Sequence, residues 1–335
     1  MLICIVALFS VSMSSCHKVI MEEKYDWSGT LSAPQEYPIE VYKGSLSAEG
    51  FTQNFRNWGV VNPGWGEVGG TVVIGPDAKA VPDSLDITWL SLVENKFYTG
   101  RFALPKEKMS KLFKEGFTND QNKKDTYKNI IVGLAPEGTI VIWLMAAGKE
   151  VEVAKFKAHE ANIDPTTVAA DDKYMFKKGY PESVLSDPMV FKPEIKERIN
   201  KIGYPEANVY DELYRTKFNW KPAVDLVQDA ELQNFGFVMY NGEMDKLAGE
   251  YLKNNDYRER AIPKSFNVHW VTEDEAQHGI RITSFDEKEI FAAFKSIGSS
   301  PPELLLKVIN ENTVWIGLKT DNKEIELKNA IVKAY

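Results

Sequence analysis

The chain is poor in the residues that carry most protein chemistry. It has two cysteines, Cys4 and Cys16, both within the first 16 of its 335 residues. Past that segment no thiol remains, which excludes disulfides, thiolate zinc sites, iron–sulfur clusters and cysteine nucleophiles from the body. Four histidines are present, His17, His159, His269 and His278, and none forms a His-Glu-x-x-His pair. His269, Glu273 and His278 lie near one another, but His269 falls on the polar side of a strand pattern, so no metal is expected. No other cofactor is expected either. There is no Gly-x-Ser-x-Gly elbow and no Gly-x-x-x-x-Gly-Lys phosphate loop. Gly66, Gly69 and Gly70 lack the strand-to-helix setting of a dinucleotide site. No long basic run occurs and the formal net charge is -8, so nucleic acid is not an expected partner. Acids are plentiful, but a glycosidase needs two of them held in one cleft, and no spacing here marks such a pair. Asp171-Asp172 reads as a solvated pair in a linker. A non-catalytic role follows as the expectation.

What the chain does have begins at its N-terminus. Residues 1–13 carry no charge and are mostly apolar. That is shorter than the about 20 residues a membrane helix needs and suits the apolar part of a secretory signal. Met13-Ser14-Ser15-Cys16 then resembles the lipobox of bacterial lipoproteins, in which the cysteine is acylated and becomes the first mature residue. One feature departs from that pattern, because no Lys or Arg precedes the apolar run. His17, in place of Asp, leans by the same resemblance toward the outer membrane. The expectation is a signal peptide at 1–16, lipidation of Cys16, a tether at 17–24, and a body held at the periplasmic side by its lipid. With 44% apolar and 26% charged residues the body is ordinarily globular, and its length fits two domains.

Alternation defines the strands. Ile39, Val41 and Lys43 alternate with Glu40 and Tyr42. Leu85, Ile87 and Trp89 alternate with Asp86 and Thr88, and a second strand at 97–104 follows Glu94-Asn95. Pro105 opens a helix with Met109, Leu112, Phe113 and Phe117 on one face, and Gly116 closes it. Two apolar runs around Ala-Pro-Glu-Gly, at 130–134 and 139–145, read as central strands. Residues 149–156 read as another strand. Residues 45–80 look irregular, with Trp58, Trp65 and several glycines. Residues 161–192 read as a linker and Pro193–Ile202 as a short helix.

The second half echoes the first. Val81-Pro82-Asp83-Ser84-Leu85-Asp86-Ile87-Thr88-Trp89 aligns with Ile262-Pro263-Lys264-Ser265-Phe266-Asn267-Val268-His269-Trp270. Met109 and Phe113 meet Ile290 and Phe294. Tyr25-Asp26-Trp27 meets Phe218-Asn219-Trp220, and Arg101 meets Arg281 if the second hairpin is one residue shorter. Ser284-x-x-Glu287 offers a helix cap, and residues 244–252 read as a helix in the second insert. The expected fold is α+β: two similar antiparallel-sheet units, 25–160 and 214–335, each with a helix on one sheet face, an internal duplication joined by a linker at 161–213.

The strings Tyr37-Pro38-Ile39-Glu40-Val41-Tyr42, Ile87-Thr88-Trp89-Leu90-Ser91, Val93-Glu94-Asn95-Lys96-Phe97-Tyr98 and Phe102-Ala103-Leu104-Pro105 resemble the uncharacterised lipoproteins of Gram-negative bacteria grouped as domain of unknown function 2931. The likeness covers roughly residues 25–160, with residues 193–220 a looser match. It implies a membrane-anchored envelope protein and transfers no catalytic residue. Some members lie near genes for secreted antibacterial toxins, which implies an immunity role. The residues themselves offer two candidate ligand surfaces. One is Trp58 and Trp65 with their glycines, which would suit a carbohydrate or cell-wall fragment. The other is a polar patch of Glu94, Tyr98 and Arg101, with a cross-strand ion pair on an exposed sheet face as its plainer reading. The expected function is binding of another protein in the envelope, with carbohydrate binding as the alternative and a hydrolase behind both.

Overall fold

A computed structural model describes residues 23–55, 58–70, 74–226, 230–249, 252, 255–310 and 313–335. Cys16, the signal and nearly all of the tether lie outside them. The described residues are mostly strand, arranged in several largely antiparallel sheets with a few short helices: an α+β protein.

In the first region Ser28–Ser32 runs parallel to Asn129–Ala135, which pairs antiparallel with Thr139–Ala146 and then Lys149–Lys157. Ile130, Val132, Ile140 and Ile142 are fully buried, and so are Ile131, Val141 and Trp143 on the opposite face. The sheet is covered on both sides, as its continuous apolar runs require. A second sheet faces it. There His159–Ala161, Lys96–Ala103, Ser84–Ser91, Ile39–Ala48 and Phe51–Asn54 lie side by side. Leu85, Ile87 and Trp89 point between the sheets at 0% exposure. The edge strand Ser28–Ser32 is tied to this sheet by Gln53, whose side-chain amide exchanges two 2.7 Å hydrogen bonds with the backbone of Gly29. Helix Lys106–Glu115 buries Met109 and Phe113 in the same core and stops at Gly116, whose φ of 58° favours glycine.

The second region repeats this pairing order. Lys217–Asp225 first pairs antiparallel with Arg258–Ala261, then parallel with Glu303–Asn310, which continues to Thr313–Lys319 and Glu324–Glu326. Facing these lie Ala230–Met239, Pro263–Thr272, Gln277–Ser284 and Ile331–Ala334. The Trp27 indole donates to the Ala80 carbonyl (3.0 Å) beneath the Lys79 ammonium; the Trp220 indole donates to the Ala261 carbonyl (3.2 Å) beneath the Arg260 guanidinium. Arg101 stands opposite Asp86, and Arg281 opposite Asn267.

Three expectations change. Met244–Ala248 is a strand rather than the start of a helix. The Asn241-Gly242 turn, with Gly242 at φ 90°, folds it back on Ala230–Met239 as a hairpin. Its outer edge pairs Met244 and Asp245 with Glu150 and Lys149, so both regions share one nine-stranded sheet. Helix Glu287–Ser296 is capped by Asp286, whose carboxylate accepts from the Glu289 amide (2.8 Å); Ser284 is still in the strand, opposite Ile331. Finally, residues 161–192 do not run free. They lay Val168, Met175 and Phe176 over Tyr42, Leu90 and Leu92 on the outer face of the first region. The buried Glu40 carboxylate accepts from the hydroxyls of Tyr174 (2.6 Å) and Tyr180. Val209, Tyr210 and Tyr214 then enter the core between the regions.

Candidate functional site

The Glu94, Tyr98 and Arg101 patch does not assemble. Glu94 sits at the hairpin end, where it accepts from Ser91 (2.6 Å), Tyr98 (2.8 Å) and the Glu137 amide (3.1 Å). Tyr98 is 6% exposed and packs on Trp89. Burial, followed by the Glu94 bond, raises its pKa above the usual phenol range. These two residues fasten a hairpin to a neighbouring turn. Arg101 lies farther along the strand and points away. Its guanidinium makes two hydrogen bonds to Asp86 (3.0 and 2.6 Å) in the open, so the cross-strand ion pair joins Arg101 to Asp86 rather than Glu94. Such exposed pairs contribute little.

The two tryptophans are also separated. Trp65 is 7% exposed and meets Trp143 edge-on at 4.9 Å and Tyr210 at 5.3 Å, in the seam between the regions. Beside it Gly66, at φ 80°, lies against Gly242, where an added Cβ would come 2.5 Å from the Gly242 Cα. Gly66 therefore serves the close approach of two backbones, and the Trp65 ring packs in that seam. Trp58 is half-buried, edge-on to Phe55 at 5.3 Å. It lines a groove of about 280 Å³ together with Val60, Pro63 and the Gly69-Gly70 backbone on one wall, and Met189, Lys192 and Ile195 on the other. Asn62 bridges the walls by donating to the carbonyls of Gln35 (3.3 Å) and Val190 (3.0 Å). Met189 is 85% exposed.

The far wall is a surprise of the fold. Met189 and Lys192 lie in the segment that composition marks as a linker, and no period or motif there points to a site. A smaller hollow of about 130 Å³ opens at the seam, near Gly148 and Arg258. Two ion pairs cross it, Lys149 to Asp245 (2.9 Å) and Lys246 to Asp120 (2.7 Å), so most of its charge is already matched.

Among the described residues no three His, Cys, Asp or Glu side chains are placed to hold a metal. His269 meets the Tyr335 hydroxyl at 2.8 Å, and His278 stacks on Trp270. Burial, then the charges of Lys246 and Arg281, lowers the pKa of His269.

A family model described as "protein of unknown function (DUF2931)" matches residues 14–206, more than half of the chain. The chain belongs to this family. No curated protein and no solved structure matches it. The family match takes in the whole first region, the covering segment and both walls of the Trp58 groove, and it ends before Lys217–Asp225.

Proposed function

We propose that the chain is a lipid-anchored cell-envelope protein that acts by holding another protein, without chemistry of its own, in the groove beside Trp58. One observation carries this reading: what lines the groove. Its walls mix apolar side chains with the amides of Gln35 and Asn62 and with exposed backbone, and among the described residues that line it the one charge is Lys192 and there is no carboxylate, imidazole, hydroxyl or thiol. Those residues supply no group for general acid–base or nucleophilic catalysis. A large apolar side chain from an extended segment, followed by an acidic residue reaching Lys192, complements it in shape and charge. Met189 is a flexible apolar group of the kind that adapts to a partner surface.

The body is read as two copies of one α+β unit, 25–160 and 214–335, joined through 161–213. The common pairing order and the matched Trp27 and Trp220 sites support a duplication. Cys16 is the proposed lipid attachment point, which would place the body at the periplasmic face of the outer membrane. A secreted toxin neutralised in the envelope is one partner that would fit this placement. The carbohydrate reading rests on Trp58 and the adjoining glycine backbone, without Trp65.

Selection of a displayed peptide library on the soluble fragment 18–335 tests the groove. Enriched peptides should carry a large apolar residue next to Asp or Glu. Trp58→Ala should abolish their capture, and Lys192→Glu should select against the acid. Enrichment that ignores both changes, or none at all, counts against the groove. Binding to a glycan array that is lost in Trp58→Ala would favour the carbohydrate reading instead. Separately, Cys16→Ala should remove lipid labelling and release the protein from membranes.

A further inference from the structure

One carboxyl group is sealed into the strand pairing that joins the two regions. Glu150 is 6% exposed, and its Oε1 has no hydrogen-bond partner. It stands between Met145 on one neighbouring strand and Met244 on the other. The charged groups around it are accounted for. Glu243 follows the Asn241-Gly242 turn, and Glu67 comes from the insert that carries Trp65. Lys217 is held by Glu243 at 3.1 Å and Lys149 by Asp245 at 2.9 Å, while Arg215 is engaged by Glu152 at 2.5 Å. Each nearby cation thus serves another acid. Among the described residues, the charges that bear on Glu150 are the carboxylates of Glu243 and Glu67. An ionised carboxylate in that place loses its hydration and gains no counter-charge.

We propose that Glu150 is a proton-dependent latch: the neutral acid keeps the two regions in one sheet, and its ionisation loosens the pairing of Lys149 and Glu150 with Asp245 and Met244. Burial, then the charges of Glu243 and Glu67, pushes its pKa well above the ordinary carboxylate range. Between the ordinary value and the raised one, the folded chain holds a proton that the unfolded chain has released. Stability is therefore full below the unfolded value and falls as pH rises through the folded one.

Denaturant unfolding of wild type and Glu150→Gln, from about pH 4 to about pH 9, tests the latch. Gln keeps the volume and cannot ionise. Inside the window, the wild-type folding constant should fall relative to the variant by up to about tenfold per pH unit. Other titrating groups act on both curves, so parallel curves would overturn the proposal. Hydrogen exchange locates the effect. After correction for intrinsic rates, amides at 149–151 and 244–246 should open more readily at high pH in wild type than in Glu150→Gln, and equal opening would again overturn it. If Glu150→Gln does not fold, Glu243→Gln removes one of the two repelling charges. It should end the decline at a lower pH and make it smaller, and an unchanged decline would sink the idea.

Discussion

One pair beyond Trp89 and Tyr98, the first region places Leu90 opposite Phe97; one pair beyond Trp270 and His278, the second places Val271 opposite Gln277. Leu90 is 1% exposed, because residues 161–192 lie over that face and Phe176 stacks on Phe97 at 4.8 Å. Val271 is half-exposed, and Gln277 is exposed. Three residues past the tryptophan the contrast repeats, with Leu92 buried and Glu273 open. A strand covered on one face alternates; a strand covered on both does not. Trp89-Leu90-Ser91-Leu92 breaks the alternation of Leu85, Ile87 and Trp89, and that break is the trace of a third layer written into the strand it covers.

The largest test of the comparison removes what the two regions share. Trp27→Ala and Trp220→Ala each empty a site of 0% exposure and delete an indole hydrogen bond. Each should cost about 3–5 kcal/mol. Because the regions share a sheet, denaturant unfolding should show either loss in a single transition. Two transitions, with each substitution moving only its own, would mean that the regions fold independently.

The next test removes what they do not share. Leu90→Ala should cost about 2–5 kcal/mol, as a fully buried leucine does, whereas the half-exposed Val271→Ala should cost well below that. Equal losses in thermal or denaturant unfolding would mean that the covering segment adds little to the first region. The attachment of that segment can be weakened more gently. Tyr174→Phe with Tyr180→Phe takes two hydroxyl donors from Glu40, a carboxylate that is 4% exposed. The expected loss is about 1–3 kcal/mol, with faster proteolysis confined to residues 161–192. Unchanged cleavage there would show that the apolar contacts hold the segment alone.

The sequence announces those parts of the fold that local chemistry decides. Pro105 and Gly116 bracket a helix, Pro193–Ile202 stands as read, and alternation places Ser84–Ser91. It is silent where a partner from far along the chain decides. Met244–Ala248 is a strand because it folds back along Asn234–Val238 across the Asn241-Gly242 turn, which was the one available sign, and its other edge meets Glu150 and Lys149, which no window around residue 244 contains. Residues 161–192 grip through Val168, Tyr174, Met175, Phe176 and Tyr180, a spacing with neither helix nor strand period. Gly64-Trp65-Gly66 reads alike as a binding loop or as a seam, and the approach of Gly242 decides between them. The groove shares that limit, since Trp58 was legible and its far wall, Met189 and Lys192, was not.

The smallest expected effect bears on the polar patch. The register of the hairpin already contained the answer: Ser91 opposite Lys96 sets Asp86 opposite Arg101 and leaves Glu94 in the turn. Arg101 therefore has an exposed partner of opposite charge, whereas Arg281, at the same place in the second region, faces the neutral Asn267 and lies 6.0 Å over the Tyr335 ring. Arg101→Ala should change stability by about 0–1 kcal/mol, and the change should shrink as salt is added. Arg281→Ala should be as small but insensitive to salt, since it loses a ring contact in place of an ion pair. A loss at Arg101 of several kcal/mol, or one that persists at high salt, would mean that this arginine does more than balance Asp86, and would return it to the list of functional candidates.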